Sequence, residues 1–455
     1  MYNPVMTLSL VKSLRVEGFS SIAFVGSGGK TTAIFHLARQ LGTPVIVSAT
    51  SHMGAWQVSQ ADRHVIADSV NAIFEIENNL RGIIVVTGPL DGVRTRPLND
   101  DLLKNLFQVC RKHSLPLLIE ADGSCQKPLK AWAEHEPPIP DFVDMVVHVV
   151  GLTGLEKPLS EKNVHRSEIF SELSNVPLGE PITSEALSRV LSSRTGGMKN
   201  IPPQARKILL LNQADTTELQ GYANGLAHSL IRDFQAVIIS SLKTEEIFAI
   251  HEPVAGIILA AGSSSRYGRS KQLLEWKGQP FVRRVAITAL YAGLSPILVI
   301  TGANAEKIGE TVSDLNVRII HNPDWESGQG SSIRAGIKSL ASDQGYSLKT
   351  LDVGSCIFLL ADQPQITESI LRALVEKHAQ GLFPIVAPLV MDQRANPVLF
   401  DQTTFPDLLA IEGDVGGRAI FHKYSVEYLP WHDDRLLLDV DTPEHYQRLL
   451  ADETL

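Results

Sequence analysis

The stretch that most constrains this chain is Leu259 to Gly278, LAAGSSSRYGRSKQLLEWKG, directly after the apolar run Val254 to Ile258. Such a run reads as a buried strand. Gly262 to Gly268 then forms a loop of small and polar residues whose backbone N–H groups can wrap an anion. Arg266 and Lys271 bring two cations to the same turn. A strand that runs into a Gly/Ser-rich loop with a fixed Arg and Lys is a phosphate-binding design. It has neither the P-loop spacing G-x-x-x-x-G-K-S/T nor the dinucleotide spacing G-x-G-x-x-G.

A second such element lies near the N-terminus. Ser21 to Val25 is a strand signal, Gly26 to Thr32 reads GSGGKTT, and Ala33 to Leu41 has helical spacing. Gly26, Gly28, Gly29, Lys30, Thr31 and Thr32 would cradle a phosphate at the helix start, with the Thr31 hydroxyl placed for Mg²⁺. Phe24 stands where a P-loop has its first Gly, so the element is P-loop-like, closer to the G-x-x-G-K-T form.

Two such elements in 455 residues predict two α/β domains, residues 1–250 and 254–455, joined by a short polar connection over Lys243 to Pro253. A hydrophobic content of 44% and a charged content of 20% are those of a globular enzyme. The net charge of −9 argues against nucleic acid as the main partner. The three cysteines form no C-x-x-C pair, which points to a reducing cytoplasm. The N-terminus lacks a signal-peptide layout, and no apolar run approaches the ~18–20 residues of a membrane span.

Further strands are expected at Val45–Ser48, Ile83–Thr87, Leu115–Ile119, Asp144–Val150, Lys207–Leu211 and Ala236–Ser240. The fourth of these, counting Ser21–Val25, delivers Glu120 and Asp122 to the carboxyl edge of a parallel sheet. There Asp122 can hold Mg²⁺ and Glu120 can orient a water. Lys207–Leu211 delivers Asn212-Gln213-Ala214-Asp215, which resembles the N-K-x-D element with which GTPases read guanine, with Gln213 in place of the Lys.

In the second half, Pro296–Ile300 leads into Gly302, and Val317–Ile320 leads into Asn322 through Ser332. Ser355–Leu360 delivers Asp362, a carboxylate suited to Mg²⁺ opposite the Gly262 loop. Leu436–Asp441 reads as a last strand with Asp441 as second metal ligand and Asp439 as the alternative; Thr442 and Pro443 then start a helix.

L-A-A-G-x-S-x-R-x-G-x-x-K resembles the signature of nucleotidyltransferases that activate cofactors and sugars. Within them it is similar to the MobA-like molybdenum cofactor cytidylyltransferases and their guanylyltransferase relatives. The resemblance runs from about Val254 to the C-terminus and implies a Rossmann-like, GT-A-like domain with a mostly parallel sheet. It implies nucleotide contacts at Leu259, Ala260, Ala261, Gly262, Gly268, Gly302, Asn322, Gly328 and Ser332. It implies catalysis by Arg266, Lys271 and Asp362, with metal on Asp362 and Asp441. Arg394-Ala395-Asn396-Pro397 resembles the family's G-N-P element with Ala395 for Gly, and Asp414-Val415-Gly416-Gly417-Arg418 its G-D-x-G-A-R element. Asn396, Pro397, Asp414, Gly416 and Arg418 are thereby implied to bind the acceptor. Asp-Gln-Pro at 362–364 matches the cytidylyl branch, so the implied substrates are CTP and molybdopterin (molybdenum cofactor), with Mg²⁺. A guanylyltransferase and a cofactor-binding chaperone remain the alternatives.

GSGGKTT, EADGSCQKPLK, AEHEPPIP, VHRSEIF and LLLNQAD together resemble the selenium-dependent hydroxylase accessory (YqeC-like) family, over about Ser21 to Ser240. That resemblance implies a role in maturing molybdenum hydroxylases, with the apoenzyme as partner, and does not define a reaction. Cys125-Gln126 departs from the small residues expected there.

Overall fold

Short runs of Val, Ile, Leu and Ala, too short for helices and apolar on both faces, become the inner strands of two parallel sheets. The structure, a computed structural model, describes residues 8–16, 18–42, 44–263, 267, 270–341 and 351–451. It divides into two compact units, Met1–His251 and Glu252–Leu455.

The first unit contains β1 (Ser21–Gly26), α1 (Lys30–Gln40), β2 (Val45–Ala49), β3 (Arg63–Ile66), β4 (Ile83–Thr87), α2 (Asp100–Lys112), β5 (Leu117–Glu120), β6 (Met145–Gly151), β7 (Arg206–Asn212), α3 (Thr217–Leu230), β8 (Ala236–Ser241) and β9 (Glu246–His251). The sheet order is β9-β8-β7-β6-β1-β5-β2-β4-β3. β1 pairs in parallel with β5 and β6. Every residue of β1, β2, β4, β5 and β6 is buried. A buried Val, Ile or Leu contributes about 1.5–3 kcal/mol by leaving water, so these strands carry the core.

One expectation fails here. Lys243 to Pro253 is not a plain connection, because Glu246–His251 adds an antiparallel edge strand to β8. Ala249 and Ile250 are buried while Glu246 is exposed, the half-buried pattern an edge strand tolerates.

The second unit contains β10 (Val254–Ala260), α4 (Phe281–Tyr291), β11 (Ile297–Thr301), β12 (Arg318–His321), α5 (Gln329–Lys338), β13 (Ser355–Leu360), α6 (Glu368–Ala379), β14 (Ile385–Val390), β15 (Gln393–Arg394), β16 (Val398–Asp401), β17 (Val426–Pro430) and α7 (Pro443–Ala451). The order is β12-β11-β10-β13-β16-β14-β15, with β17 pairing β14. β10 pairs in parallel with β11 and β13. Side chains alternate across β10, so Val254, Ile258 and Ala260 join one core cluster while Ala255 and Ile257 join another. β16 is antiparallel to β13, with Val398 opposite Phe358, so its start lies at the edge where the parallel strands end. Asn396 and Pro397 therefore share that edge with Gly262, Gly302, Asn322 and Asp362.

Leu436–Asp441 is not a strand. Asp434–Leu437 is a 3₁₀ turn and the chain then runs irregularly into α7. Leu438 and Val440 alternate inward as in a strand, yet they pack onto Trp276, Phe281 and Leu449 and pair with no strand. Pro280 is the N-cap of α4.

Candidate functional site

The carboxyl edge of the second sheet gathers most of the residues singled out from the sequence. Asp362 leaves β13 and Lys271 leaves the Gly-rich loop. The Lys271 ammonium donates to Asp362 Oδ2 at 2.9 Å and to Asp441 Oδ1 at 2.8 Å. Burial, the largest influence on Lys271, opposes its charge. The two carboxylates outweigh it and hold the ammonium above its ordinary range.

Asp441 is held near this point by Gln365, which the sequence did not single out, and by Gln363, named there only within Asp-Gln-Pro. Gln365 Nε2 donates to the carbonyls of Arg435 (3.1 Å) and Leu438 (2.6 Å). Gln363 Nε2 donates to Asp439 Oδ1. The Asp-Gln-Pro-Gln segment thus carries one carboxylate itself and ties down the chain that carries the other. Asp439, the alternative ligand, is taken up by Gln363; burial first, then Asp362 and Asp441, push its carboxyl upward.

Asp362 and Asp441 are hard oxygen donors that share one ammonium, with side chains 25% and 56% exposed. They fit a divalent cation that takes the rest of its oxygens from phosphate and water. Among the described residues no group of three or more His, Cys, Asp or Glu is arranged to hold a metal.

The loop glycines differ in what demands them. A Cβ on Gly302 would lie 2.6 Å from Ala261 O and 2.7 Å from Trp325, and one on Gly328 (φ +105) 2.5 Å from Asp414 N. Packing fixes both. Among the described residues a Cβ on Gly262 would meet only Gln272 Nε2, at 3.7 Å, and the glycine is exposed. Gln272 also donates to Gly262 O at 3.0 Å and fixes that carbonyl. Leu259, Ala260 and Ala261 lead into the loop, and Ala261 O accepts from Ala303 N at 3.1 Å. Arg266 and Gly268 lie outside the described residues.

Two of the expected contact residues also order the protein itself. Asn322 is buried, and its side chain donates to Ser331 Oγ (2.8 Å) and Ser332 Oγ (3.1 Å) while accepting from Asp324 N. It orders the start of α5, and the Ser332 hydroxyl is its partner there. Asp414 Oδ1 accepts from Gln329 N at 3.2 Å, and Gly413 O from Gly330 N. The expected acceptor carboxylate therefore caps α5, where orphan N–H groups and the helix dipole favour an anion. This joins the expected nucleotide and acceptor loops into one wall. Gly416 adjoins Gln329, and Arg418 is exposed with Nη2 3.4 Å from Arg394 O. Asn396 is half-buried and Pro397 buried beside them.

In the first unit, Gly26, Gly28 and Gly29 all have positive φ, and a Cβ on Gly28 would sit 2.4 Å from the Gly151 backbone. The loop opens α1, with Gly29 as N-cap. Lys30 is buried, and its ammonium donates to Gly26 O at 2.5 Å. Thr31 is half-buried and Thr32 exposed.

Asp122 is not an open metal ligand. Its side chain is wholly buried, and Oδ2 accepts from Gly26 N (3.0 Å), Lys130 Nζ (2.9 Å) and Trp132 Nε1 (2.8 Å). Lys30 lies 3.0 Å from Oδ1 as an ion pair without hydrogen-bond geometry, since the ammonium is aimed at Gly26 O. Burial favours the neutral acid most strongly, but Lys30, Lys130 and the Gly26 N–H together lower its pKa to about 2.

Glu120 does not face free solvent either. It accepts from Gln57 Nε2 (2.9 Å) and Thr31 Oγ1 (3.3 Å), and burial pushes its carboxyl upward. Glu136 pairs with Lys130 and Arg166, so the Glu134–Pro137 loop orders the Asp122 cluster. Cys125 and Gln126 both have positive φ, at 50° and 60°, the conformation for which small residues were expected.

Comparison with known proteins adds two families. Residues 22–168 match the YqeC protein family, and residues 256–428 match the MobA-like NTP transferase domain. Nicotine blue oxidoreductase of Paenarthrobacter nicotinovorans is 31% identical over 206 residues, 43% of this chain and 96% of that protein. The uncharacterized protein YqeC of Escherichia coli (strain K12) is 29% identical over 204 residues, 43% of this chain and 77% of its own length. Molybdenum cofactor cytidylyltransferase of the same strain is 26% identical over 194 residues, 42% of this chain and 92% of its own. No helix among the described residues is long and apolar enough to cross a membrane.

Proposed function

We propose that the second unit of this chain, whose residues 256–428 match the MobA-like NTP transferase domain while residues 22–168 match the YqeC protein family, transfers CMP from CTP to the terminal phosphate of molybdopterin. The acceptor is the molybdenum cofactor on its way to a molybdenum hydroxylase apoenzyme, in the cytoplasm. The observation that carries this reading is the Lys271 ammonium held between Asp362 and Asp441 at the open edge beside Gly262.

An oxygen of the acceptor phosphate bonds to the α-phosphorus of CTP as the bond from that phosphorus to the bridging oxygen breaks, and pyrophosphate leaves. The nucleophile is already an anion, so no strong base is needed. The protein's work is in-line placement and charge neutralisation. Lys271 and Arg266 hold the departing pyrophosphate. The Gly262 backbone approaches the phosphates, and Arg418 with Asn396 faces the acceptor. Asp362 and Asp441 would hold Mg²⁺, which would supply positive charge to the phosphates when bound. In the first unit, Gly26 to Thr32 with Lys30 binds a nucleotide's phosphates.

Pyrophosphate release, measured with molybdopterin as acceptor, tests this: CTP supports turnover and GTP supports little. Faster release with GTP makes the enzyme a guanylyltransferase. A redox reading has one finding behind it, the name of the 31% identical oxidoreductase, although no G-x-G-x-x-G follows any strand. Consumption of NAD(P)H without pyrophosphate release would replace the transfer reading.

A further inference from the structure

The ends of β7 and β8 carry a cluster that phosphate binding leaves unused. The Asn212 amide donates to Gly28 O at 2.7 Å, and its carbonyl accepts from Leu242 N at 2.9 Å. One buried side chain thus ties the phosphate loop to the end of β8. Asp215 stands three residues on, exposed at the same edge, with Oδ1 accepting from the buried Ser241 hydroxyl at 2.6 Å. Ala214 N donates to Ser240 O at 3.0 Å and fixes that turn to β8. Gln213 is drawn aside by Thr153, whose hydroxyl donates to its Oε1.

β7 lies two places from β1 in the sheet. At ~4.8 Å per strand the β7 and β1 axes lie about 10 Å apart, and Asn212 at the end of β7 reaches Gly28 O directly, so the turn that carries Asp215 starts beside the phosphate loop. At the phosphate end, Asp122 Oδ1 is wholly buried without a hydrogen bond, and the Lys30 ammonium beside it rests on a loop carbonyl. The ammonium keeps Asp122 Oδ1 as its ion-pair partner at 3.0 Å and adds positive charge to the loop at the start of α1, where orphan N–H groups favour an anion.

We propose that the first unit is a guanine-nucleotide site, with Asp215 reading the base and Gly26 to Thr32 holding the phosphates. The proposal rests on the phosphate-binding reading of that loop. A carboxylate only accepts hydrogen bonds. Guanine presents two adjacent donors, N1–H and the 2-amino group. Adenine presents a bare N1 acceptor in the same place, which a carboxylate repels. Asn212 couples the two ends, because the side chain beside the base turn also holds the Gly28 carbonyl.

Calorimetric titration of the full chain, with saturating CTP present to occupy the second unit, tests this. GDP should bind at one site per chain, with ADP at least about 100-fold weaker, because a site built for donors rejects a base that lacks them. Asp215→Asn should weaken GDP by a similar factor and gain binding of xanthosine diphosphate, whose C2 carbonyl accepts from the new amide. That gain also shows the variant to be folded. Equal affinities for GDP and ADP, an Asp215→Asn chain with unchanged GDP affinity, or GDP loss without the xanthosine gain would each overturn the base assignment and leave phosphate binding standing. Failure of GDP, ADP and pyrophosphate alike to bind would overturn both.

Discussion

Two Gly-rich loops, each after a buried strand and each followed by a lysine, end in opposite electrostatic settings. In the first unit Lys30 and Asp122 are buried together, with Lys130, Trp132 and the Gly26 N–H completing the cluster. In the second unit Lys271 meets two carboxylates that remain partly open to solvent. A wholly buried charge cluster cannot exchange its partners without leaving one ion bare, so Asp122 is fixed in place by its neighbours. An exposed carboxylate can trade an ammonium for a metal ion or release it to a phosphate. The same loop pattern therefore serves as a scaffolded cradle in one unit and as an exchangeable edge in the other.

The sharpest way to break this contrast is to delete the acid on each side. Asp122→Ala leaves Lys30 and Lys130 buried without their carboxylate, and should cost the first unit about 3–5 kcal/mol in chemical denaturation. Wild-type stability should fall in acid for the same reason. The Asp122 carboxyl is depressed in the fold, so its contribution is complete above the unfolded value of 3.8 and is lost as pH falls toward about 2. Asp362→Asn should leave the denaturation curve in place while pyrophosphate release drops. Unfolding by Asp362→Asn, or an unperturbed Asp122→Ala, would erase the distinction.

Lys271→Ala should lower kcat/KM for CTP by about 100-fold, near 3 kcal/mol at the transition state, with little change in Tm. Wild-type kinetics at saturating CTP would remove Lys271 from the site.

The smallest effect concerns Glu120, two residues from Asp122 and opposite in sign. Its carboxyl is raised in the fold, so its favourable contribution is present below the unfolded pKa and is lost as pH rises through the folded one. Glu120→Gln should therefore match or slightly exceed wild-type Tm at neutral pH, with the gap closing in acid. A lower Tm at every pH would show that Gln57 and Thr31 require the carboxylate.

Local pattern made the strands, both Gly-rich loops, Lys271 and Asp362 legible, because burial on both faces and glycine at a strand end leave a mark within a few residues. Partners remote in the chain left none. Asp441 is named from its place after an apolar run, but its contact with Lys271 across 170 positions leaves no local mark, and neither does the hold of Gln365 on Leu438 across 73. The alternation Leu436, Leu438, Val440 looks the same whether the partner is a strand or a packed helix, which is why a coil was read as a strand. Asn322 and Asp414 sit where a ligand-binding residue would, yet their hydrogen bonds go to the start of α5. Polar residues at a strand end serve a helix terminus and a substrate equally well, and only the geometry separates the two.

The central claim is that Lys271, Asp362 and Asp441 form the transfer site proposed above, in which the two carboxylates would hold Mg²⁺. Pyrophosphate release from CTP, measured across a Mg²⁺ titration for the wild type, Asp362→Asn and Asp441→Asn, tests it directly. The account predicts a saturable Mg²⁺ requirement in the wild type, a shift to higher Mg²⁺ in Asp441→Asn, and transfer reduced by about 1000-fold at any Mg²⁺ in Asp362→Asn. Superimposable Mg²⁺ curves for all three proteins would contradict it.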